Sequence, residues 1–396
     1  MTPGSRTAAA IAAATALNLP FGTLYAFSVF LKPIERLLDV GRAEMSLVFA
    51  AATITLTVGM NLAPRFYRKI PSWVIALGCA ACSAAGLFLA ASADSFAQFA
   101  LGYGVLFGLG AGVGFILVQQ GVNQTVSSSS GLANGYVVSL YPLGAMVGAP
   151  LFGWAIAAFG IRATLAGLGV AVLAGCALTA ALLRAADIRM HDESTQASNQ
   201  DDAQWRVFLL LSGVFFLAAA AGLMVMSQAA GIVQAYGGQI ALAVGATTLI
   251  TGAVGAARIG GGWLADRVAI PRVAMGAHIF SLLGTIILSI WPGPLVAIAA
   301  LAMIGIGYGI ISGLTAAAIA QYWHKNSFGR IASRLYIAWC IAAISLPVLA
   351  GWLYDLTQAY GTAVLIAAAV NVLGALLAAR LPETSQKGRA MSLDSS

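Results

Sequence analysis

The chain has 396 residues, of which 60% are hydrophobic and only 8% are charged, and its mean hydropathy is +0.90. A soluble domain covers its surface with polar side chains and is about a quarter charged, so this composition excludes a soluble fold and predicts a surface that faces lipid. The net charge of +7 is not arranged as a basic and aromatic stripe, and we therefore expect no nucleic-acid partner.

Apolar segments long enough to cross a bilayer recur along the whole chain. A bilayer core needs about 20 apolar residues per helix. By this rule the predicted segments are 9–33, 44–64, 72–92, 97–121, 132–158, 163–184, 206–231, 240–264, 273–291, 295–320, 331–354 and 362–381. We predict an all-α integral membrane protein with twelve transmembrane helices, the first of which is not a cleaved signal.

One long polar connection, from Arg184 to Arg206, divides these segments into six plus six. It is acidic and rich in Ser, Gln and Asn, which is typical of a solvated linker. The predicted organisation is an N-terminal six-helix bundle (1–184), a cytoplasmic linker (185–205), a C-terminal six-helix bundle (206–381) and a cytoplasmic tail (382–396).

The distribution of Lys and Arg predicts the orientation in the membrane. Of the 20 cations, all but five lie in the two tails and the loops on the same side. The loops on the other side hold Lys32, Arg36, Arg42 and Arg162, and Arg258 lies inside a helix. Because cytoplasmic loops are enriched in Lys and Arg, we predict a multi-pass protein of the cell (inner) membrane with both termini cytoplasmic.

The two halves repeat each other. When residues 131–154 are placed over residues 329–352, glycines coincide at both ends, and Tyr141 falls opposite Trp339. A duplicated helical bundle suits a carrier that rocks around a site at the middle of the membrane. We therefore predict two pseudo-symmetric bundles with a binding site between them.

A loop after the eighth segment carries the sequence GWLADRVAIPR, from Gly262 to Arg272. It resembles the G-x-x-x-D-R motif of the major facilitator superfamily. In that family the loop is a gate latch whose Asp is held by helix ends and cations. The resemblance implies this role for Gly262, Asp266, Arg267 and Arg272, whereas the matching loop of the first half has Pro64 in place of the acid.

Within that superfamily, three stretches resemble the monocarboxylate carriers and the oxalate–formate antiporters. They are residues 22–30 of the first segment, residues 252–262 of the eighth, and 307–309 with 328–336 of the tenth and eleventh. The resemblance implies a major facilitator fold and a secondary transporter of small organic anions, with the arginine of the eighth segment in the cavity.

Arg258 is the residue on which the functional prediction depends. It lies eight residues before Asp266, which places it about 12 Å inside the cytoplasmic end of its helix. Its guanidinium stays protonated, and all thirteen Asp and Glu residues lie in loops, tails or helix ends. An acidic partner or snorkelling to the interface is the alternative reading. We predict that Arg258 binds the carboxylate of a transported anion.

Further substrate-binding residues follow from depth and from the internal repeat. The candidates are Tyr25, Tyr141, Trp339, Tyr308, Gln228 and Gln119. A tyrosine hydroxyl could donate to a carboxylate, and Trp339 would narrow the cavity. For each of them a hydrogen bond between helices is the competing interpretation.

At two positions the sequence differs from the resembled group, and these differences bear on the class of ligand and on the ion that could be transported with it. Trp339 stands where oxalate exchangers carry a second cation, which favours a ligand with one carboxylate. Val254 stands where proton-coupled carriers have an acid, so His278 is the one titrating candidate inside the membrane. Whether a proton or a counter-anion is also carried stays open.

The predicted function is transport of a small monocarboxylate by alternating access, with a carboxylate exchanger of the oxalate–formate type as the alternative. The three histidines are scattered and no acid lies in the bundle, so we expect neither an enzyme nor a cofactor nor a metal site. The pair Cys79-x-x-Cys82 is expected to consist of free thiols. The bilayer and the small carboxylate are the expected partners of a monomer.

Overall fold

The computed structural model describes residues 2–67, 69–126, 130–190 and 202–383, and within these ranges all regular structure is helical. The helices are α1 (Pro3–Gly22), α2 (Ser28–Leu38), α3 (Arg42–Phe66), α4 (Ser72–Ala91), α5 (Phe96–Phe99), α6 (Gly108–Thr125), α7 (Ser130–Ala185), α8 (Asp202–Ala235), α9 (Ile240–Ala265), α10 (Ile270–Ile290), α11 (Pro294–Tyr322), α12 (Phe328–Ile344), α13 (Leu346–Thr357) and α14 (Gly361–Ala378). Residues 191–201 of the predicted linker and 384–396 of the predicted tail lie outside the described residues.

The prediction of an all-α fold with twelve membrane spans is confirmed. Ten helices of the described chain are long and apolar enough to cross a bilayer. One of them, α7, contains two spans, because the chain turns at Gly160, whose φ of +82° is accessible to glycine at little cost. Helix α9 completes the set of twelve.

Two of the spans are interrupted, and a proline lies close to each interruption. The first continues from α1 through a 3₁₀ turn, Thr23–Ala26, into α2, with Pro20 just before the turn. The eleventh breaks at Ser345, between α12 and α13, with Pro347 in the first turn of α13. The first predicted segment, 9–33, is therefore shorter than the helical stretch that the structure has.

The contacts between the first six spans and the last six define where a central site can lie. Helix α7 packs against α9 and α11, and α12 packs against α3 and α6. Glycines permit this proximity: a Cβ at Gly135 would lie 2.5 Å from the carbonyl oxygen of Arg258. The backbone of α7 therefore passes directly beside Arg258.

Packing of α9 against α11 depends on a single face of α9, and two adjacent glycines test this. A Cβ at Gly261 would overlap the carbonyl oxygen of Ile310, whereas a Cβ at Gly260 would have no atom within 4 Å. We expect Gly261→Ala to destabilise the purified protein by about 1–3 kcal/mol and to lower its melting temperature in detergent. Gly260→Ala is the matched control and should leave the melting temperature unchanged; equal shifts in both variants would contradict this packing.

Candidate substrate site

Arg258 lies inside the bundle rather than at its surface. Its side chain is on α9, seven residues before the helix ends at Ala265, and is only 4% exposed. A cation at this depth costs about 3 kcal/mol or more unless polar groups surround it. The partners of the guanidinium therefore decide what the site can do.

The first partner is a backbone carbonyl of the other half. Nη1 of Arg258 donates to the carbonyl oxygen of Val138 over 2.7 Å. Val138 lies four residues before Pro142 within α7, and an α-helical carbonyl normally accepts from the amide four residues later. Because Pro142 has no amide hydrogen, the Val138 oxygen is available to Arg258.

The second partner is a tyrosine hydroxyl of the same half. Nη2 of Arg258 donates to the Tyr308 hydroxyl over 3.0 Å, and Nε1 of Trp339 donates to the same oxygen over 2.9 Å. The Arg258 side chain also lies over the Tyr308 ring, with Cζ 5.4 Å from its centroid. Nε of Arg258 has no hydrogen-bond partner among the described residues, so one edge of the guanidinium keeps a donor for a ligand.

A small cavity adjoins this arginine and is shared equally by the two halves. The first half contributes Tyr25, Leu56, Met60, Phe115 and Tyr141, and the second contributes Arg258, Tyr308, Ser312, Tyr336 and Trp339. The volume of the cavity that the centre of a water molecule can reach is about 20 Å³, so the cavity can hold about one water. An organic substrate would have to widen the cavity.

The cavity lining is aromatic and contains one cation and no acid among the described residues. The ring centroid of Tyr25 lies 5.8 Å from that of Tyr141 and 6.3 Å from that of Trp339. Tyr25 and Tyr336 line the cavity beside Tyr308, whose hydroxyl accepts from Arg258. The positive charge is thus surrounded by neutral hydroxyls and ring faces.

The structure therefore brings five of the seven predicted substrate-binding residues together. The same cavity is lined by Arg258, Tyr25, Tyr141, Tyr308 and Trp339. Tyr25 comes from the 3₁₀ turn after α1, and the other four residues come from four different helices.

The two predicted glutamines do not line this cavity. Gln119 lies one turn beyond Phe115 on α6, is fully buried, and neither of its amide atoms has a hydrogen-bond partner among the described residues. Gln228 accepts from the hydroxyl of Tyr360 over 3.1 Å and donates to the carbonyl oxygen of Pro347. It joins α8 to α13 and to the start of α14, away from Arg258.

Several lining and contact residues were missed by the sequence analysis. Tyr336 precedes Trp339 by three residues, so it shares a helix face with it, and that spacing was an available signal. The Val138 carbonyl could have been found by counting four residues back from Pro142. Ser312 had no signal, because a serine in an apolar helix usually bonds within its own helix.

The predicted gate latch joins the two halves at the end of the bundle to which the charge distribution assigns the cytoplasm. The Asp266 carboxylate accepts from the backbone amides of Gly131 and Leu132, each over 2.9 Å. These are free amides at the start of α7, where a helix favours a negative charge. A Cβ at Gly262 would overlap the carbonyl oxygen of Gly131.

The two arginines of the predicted latch lie elsewhere. Arg267 donates to the carbonyl oxygen of Trp263 and stacks over its ring, with Cζ 4.1 Å from the centroid. Arg272 pairs with Glu383 over 2.9 Å. The structure thus holds Asp266 by a helix end, and these cations bind other partners.

Two more hydrogen bonds join the halves at the same end. The amide of Gly329 donates to Oε1 of Gln120 over 2.7 Å, and Nδ2 of Asn61 donates to the carbonyl oxygen of Ser333 over 2.9 Å. Both connect the start of α12 to the ends of α6 and α3. This end of the bundle is therefore closed.

The remaining candidate groups are separate from the cavity. His278 is buried, and its Nδ1 lies 3.0 Å from Oδ1 of Asn371 on α14. Cys79 and Cys82 are free cysteines. Within the described ranges, no cluster of three or more His, Cys, Asp or Glu could hold a metal ion.

The latch can be tested by removing its charge. In Asp266→Asn the side-chain amide would present a donor to the amides of α7, so we expect the closed end to open more often. A cysteine placed at the buried Ser333 should then react with a maleimide about tenfold faster, since the loss of one charged hydrogen bond is of this order. Asp94→Asn, which breaks an ion pair with Arg162 at the opposite end, is the control. Unchanged reactivity in Asp266→Asn would rule out a latch.

No curated protein matches the chain. The solved proton:xylose symporter XylE, bound to 6-bromo-6-deoxy-D-glucose, is similar with a TM-score of 0.74 and 14% identity over 97% of this chain and 98% of that one. The transporter FucP in its outward conformation is similar with a TM-score of 0.68 and 16% identity, over 94% of this chain and 99% of that one. A variant of the E. coli fucose:proton symporter is similar with a TM-score of 0.66 and 16% identity, over 94% of this chain and 98% of that one. A family model described as Major Facilitator Superfamily matches residues 11–345, and the chain therefore belongs to the Major Facilitator Superfamily.

Proposed function

We propose that this transporter carries small monocarboxylate anions and that Arg258 binds their carboxylate. The observation that carries the proposal is a permanently charged guanidinium, 4% exposed, whose partners Val138 and Tyr308 are both neutral. Neutral acceptors satisfy hydrogen bonds but leave the charge uncompensated. An anionic ligand would compensate it.

The geometry of the guanidinium favours a single carboxylate. Nε has no partner among the described residues, and Nη2 beside it donates to a hydroxyl that a stronger acceptor could replace. These two donors form one edge of the planar fork, which suits the two oxygens of a carboxylate. With Trp339 and no further cation among the described residues of the cavity wall, a second carboxylate would have no counter-charge.

The walls favour a short ligand. Aromatic rings of Tyr25, Tyr141, Phe115 and Trp339 surround the space beside Arg258. A compact acid can place its carboxylate on the arginine and its apolar part against these rings. A longer chain would have to displace several of them.

A neutral sugar is the alternative ligand, because the similar structure XylE is that of a proton:xylose symporter. At 14% identity this likeness extends to the fold alone. A sugar would bond the tyrosine hydroxyls but would leave the guanidinium charge uncompensated in an apolar site, which is unfavourable. Uptake of labelled xylose and glucose is therefore measured beside that of the acids.

The same proposal includes the arrangement in the membrane. Two six-helix bundles (1–184 and 206–381), joined by the linker and rocking about Arg258, would alternate access across the inner membrane with both termini cytoplasmic. The cation distribution supports this orientation. A monomer is sufficient, because both halves of the cavity come from one chain.

Arg258 is tested by uptake of labelled formate, acetate and lactate into proteoliposomes. We expect Arg258→Ala to lower uptake of the carried acid about a hundredfold, as truncation of one member of a buried charged pair costs several kcal/mol. Arg258→Lys should retain part of it, because the charge remains and the fork is lost. Arg380→Ala, which removes an exposed cation near the end of α14, should transport normally.

Two results would contradict the proposal. One is unchanged acid uptake by Arg258→Ala, and the other is saturable uptake of xylose or glucose by the wild type with none of the three acids.

The Tyr308 hydroxyl allows a finer test. Tyr308→Phe removes the acceptor shared by Arg258 and Trp339, so we expect the apparent affinity for the carried acid to change about tenfold through misplacement of both donors. Tyr103→Phe is the matched control, since the Tyr103 hydroxyl is buried and has no hydrogen-bond partner among the described residues. Equal concentration dependence of uptake in both variants would exclude Tyr308 from the site.

A further inference from the structure

We infer that this carrier can change its orientation in the membrane without substrate, and that it therefore performs net transport instead of obligatory exchange. The reason is that the Val138 carbonyl, freed by Pro142, accepts from Arg258 when no carboxylate does. The inference rests on the proposed function, in which Arg258 is the anion site. It goes beyond that function by assigning the mode of transport and a positioning role to Pro142.

The unloaded carrier faces a specific obstacle. Burying the cation together with its anion costs little free energy. Burying the cation without the anion costs much more, because an unpartnered buried charge is strongly destabilising. A carrier that offers no other acceptor is therefore confined to exchange. A carrier that provides an acceptor of its own can return empty.

The protein provides such acceptors here. With Nη1 on the Val138 oxygen and Nη2 on Tyr308, Arg258 is enclosed to 4% exposure beside a cavity with room for about one water. Both partners belong to the chain itself. The guanidinium is thus buried with two of its nitrogens satisfied while the latch end of the bundle is closed.

The two acceptors differ in how they move. Tyr308 is on α11, which packs against α9 within the same half, so it travels with Arg258. Val138 is on α7 in the other half, and its distance to Arg258 must change when the halves rock. The Val138 oxygen is therefore the acceptor that is specific to the conformation in which the latch end is closed.

A carboxylate on the guanidinium makes the Val138 bond less important. A charged acceptor forms a stronger hydrogen bond than a backbone carbonyl does, so the loaded carrier keeps its cation compensated throughout the crossing. Loss of the Val138 acceptor should consequently slow the unloaded step much more than the loaded one. Net transport includes both steps, whereas exchange includes only the loaded one.

The substitution Pro142→Ala tests this directly, since it gives residue 142 an amide that can bond the Val138 oxygen within α7. Labelled lactate is the probe, with net uptake measured into empty vesicles and exchange into vesicles preloaded with unlabelled lactate. We expect the wild type to show net uptake, and Pro142→Ala to lower the ratio of net uptake to exchange about tenfold, as for the loss of one hydrogen bond to a charged group. Pro150→Ala, at an exposed proline of the same helix, should leave the ratio unchanged.

The outcomes separate this inference from the proposed function. A wild type that carries lactate only by exchange, or a Pro142→Ala variant with the wild-type ratio, overturns the inference while Arg258 remains the anion site. Unchanged uptake by Arg258→Ala overturns the proposed function itself.

A second measurement needs no transported probe. Spin labels at Phe66 and Val268, which are exposed and lie at the latch end of the two halves, report the distance across that end in lipid nanodiscs without carboxylate. Pro142→Ala should shift the distance distribution towards longer values, and Pro150→Ala should not. An unchanged distribution in Pro142→Ala overturns the inference.

Discussion

The hydrogen bond from Arg258 to the carbonyl oxygen of Val138 is the interaction on which the centre of this molecule depends. It places a permanent charge from one half of the chain on a backbone group of the other half, over 2.7 Å. Pro142 cannot donate to that oxygen, which leaves it without its usual helical donor. A carbonyl oxygen that has no donor within α7 thus accepts from the charged side chain of α9, and both groups are buried.

Around this bond the site is built from neutral hydroxyls and rings. The Tyr308 oxygen accepts from both Arg258 and Trp339, so the cation, the hydroxyl and the indole have fixed relative positions. The latch lies at the nearby end of the same two helices, where Asp266 directly follows α9 and α7 begins beside it. Movement of α7 against α9 would therefore disturb the latch and the Arg258 bond together, which is the coupling that an alternating carrier requires.

Much of the fold was predictable because the bilayer imposes a length on every helix. The twelve apolar segments and the turn between the fifth and sixth, at Gly160, follow from that constraint alone. The interruptions after Pro20 and at Ser345 were not predicted, since the hydrophobic pattern continues through them. Hydropathy depends on which residues face lipid. A change of helix geometry that keeps the surface apolar therefore does not alter the hydropathy pattern.

For the site, the sequence by itself determined that Arg258 is buried without an acid in its own segment, and that Tyr141 and Trp339 are equivalent positions of the repeat. Only the tertiary structure decided which groups touch the guanidinium, that Gln228 bonds Tyr360 instead, and that Asp266 binds a helix end and not the nearby arginines. The physical reason is that depth along a helix can be counted from the chain, at 1.5 Å per residue. The direction in which a side chain points depends on how helices distant in sequence pack against one another.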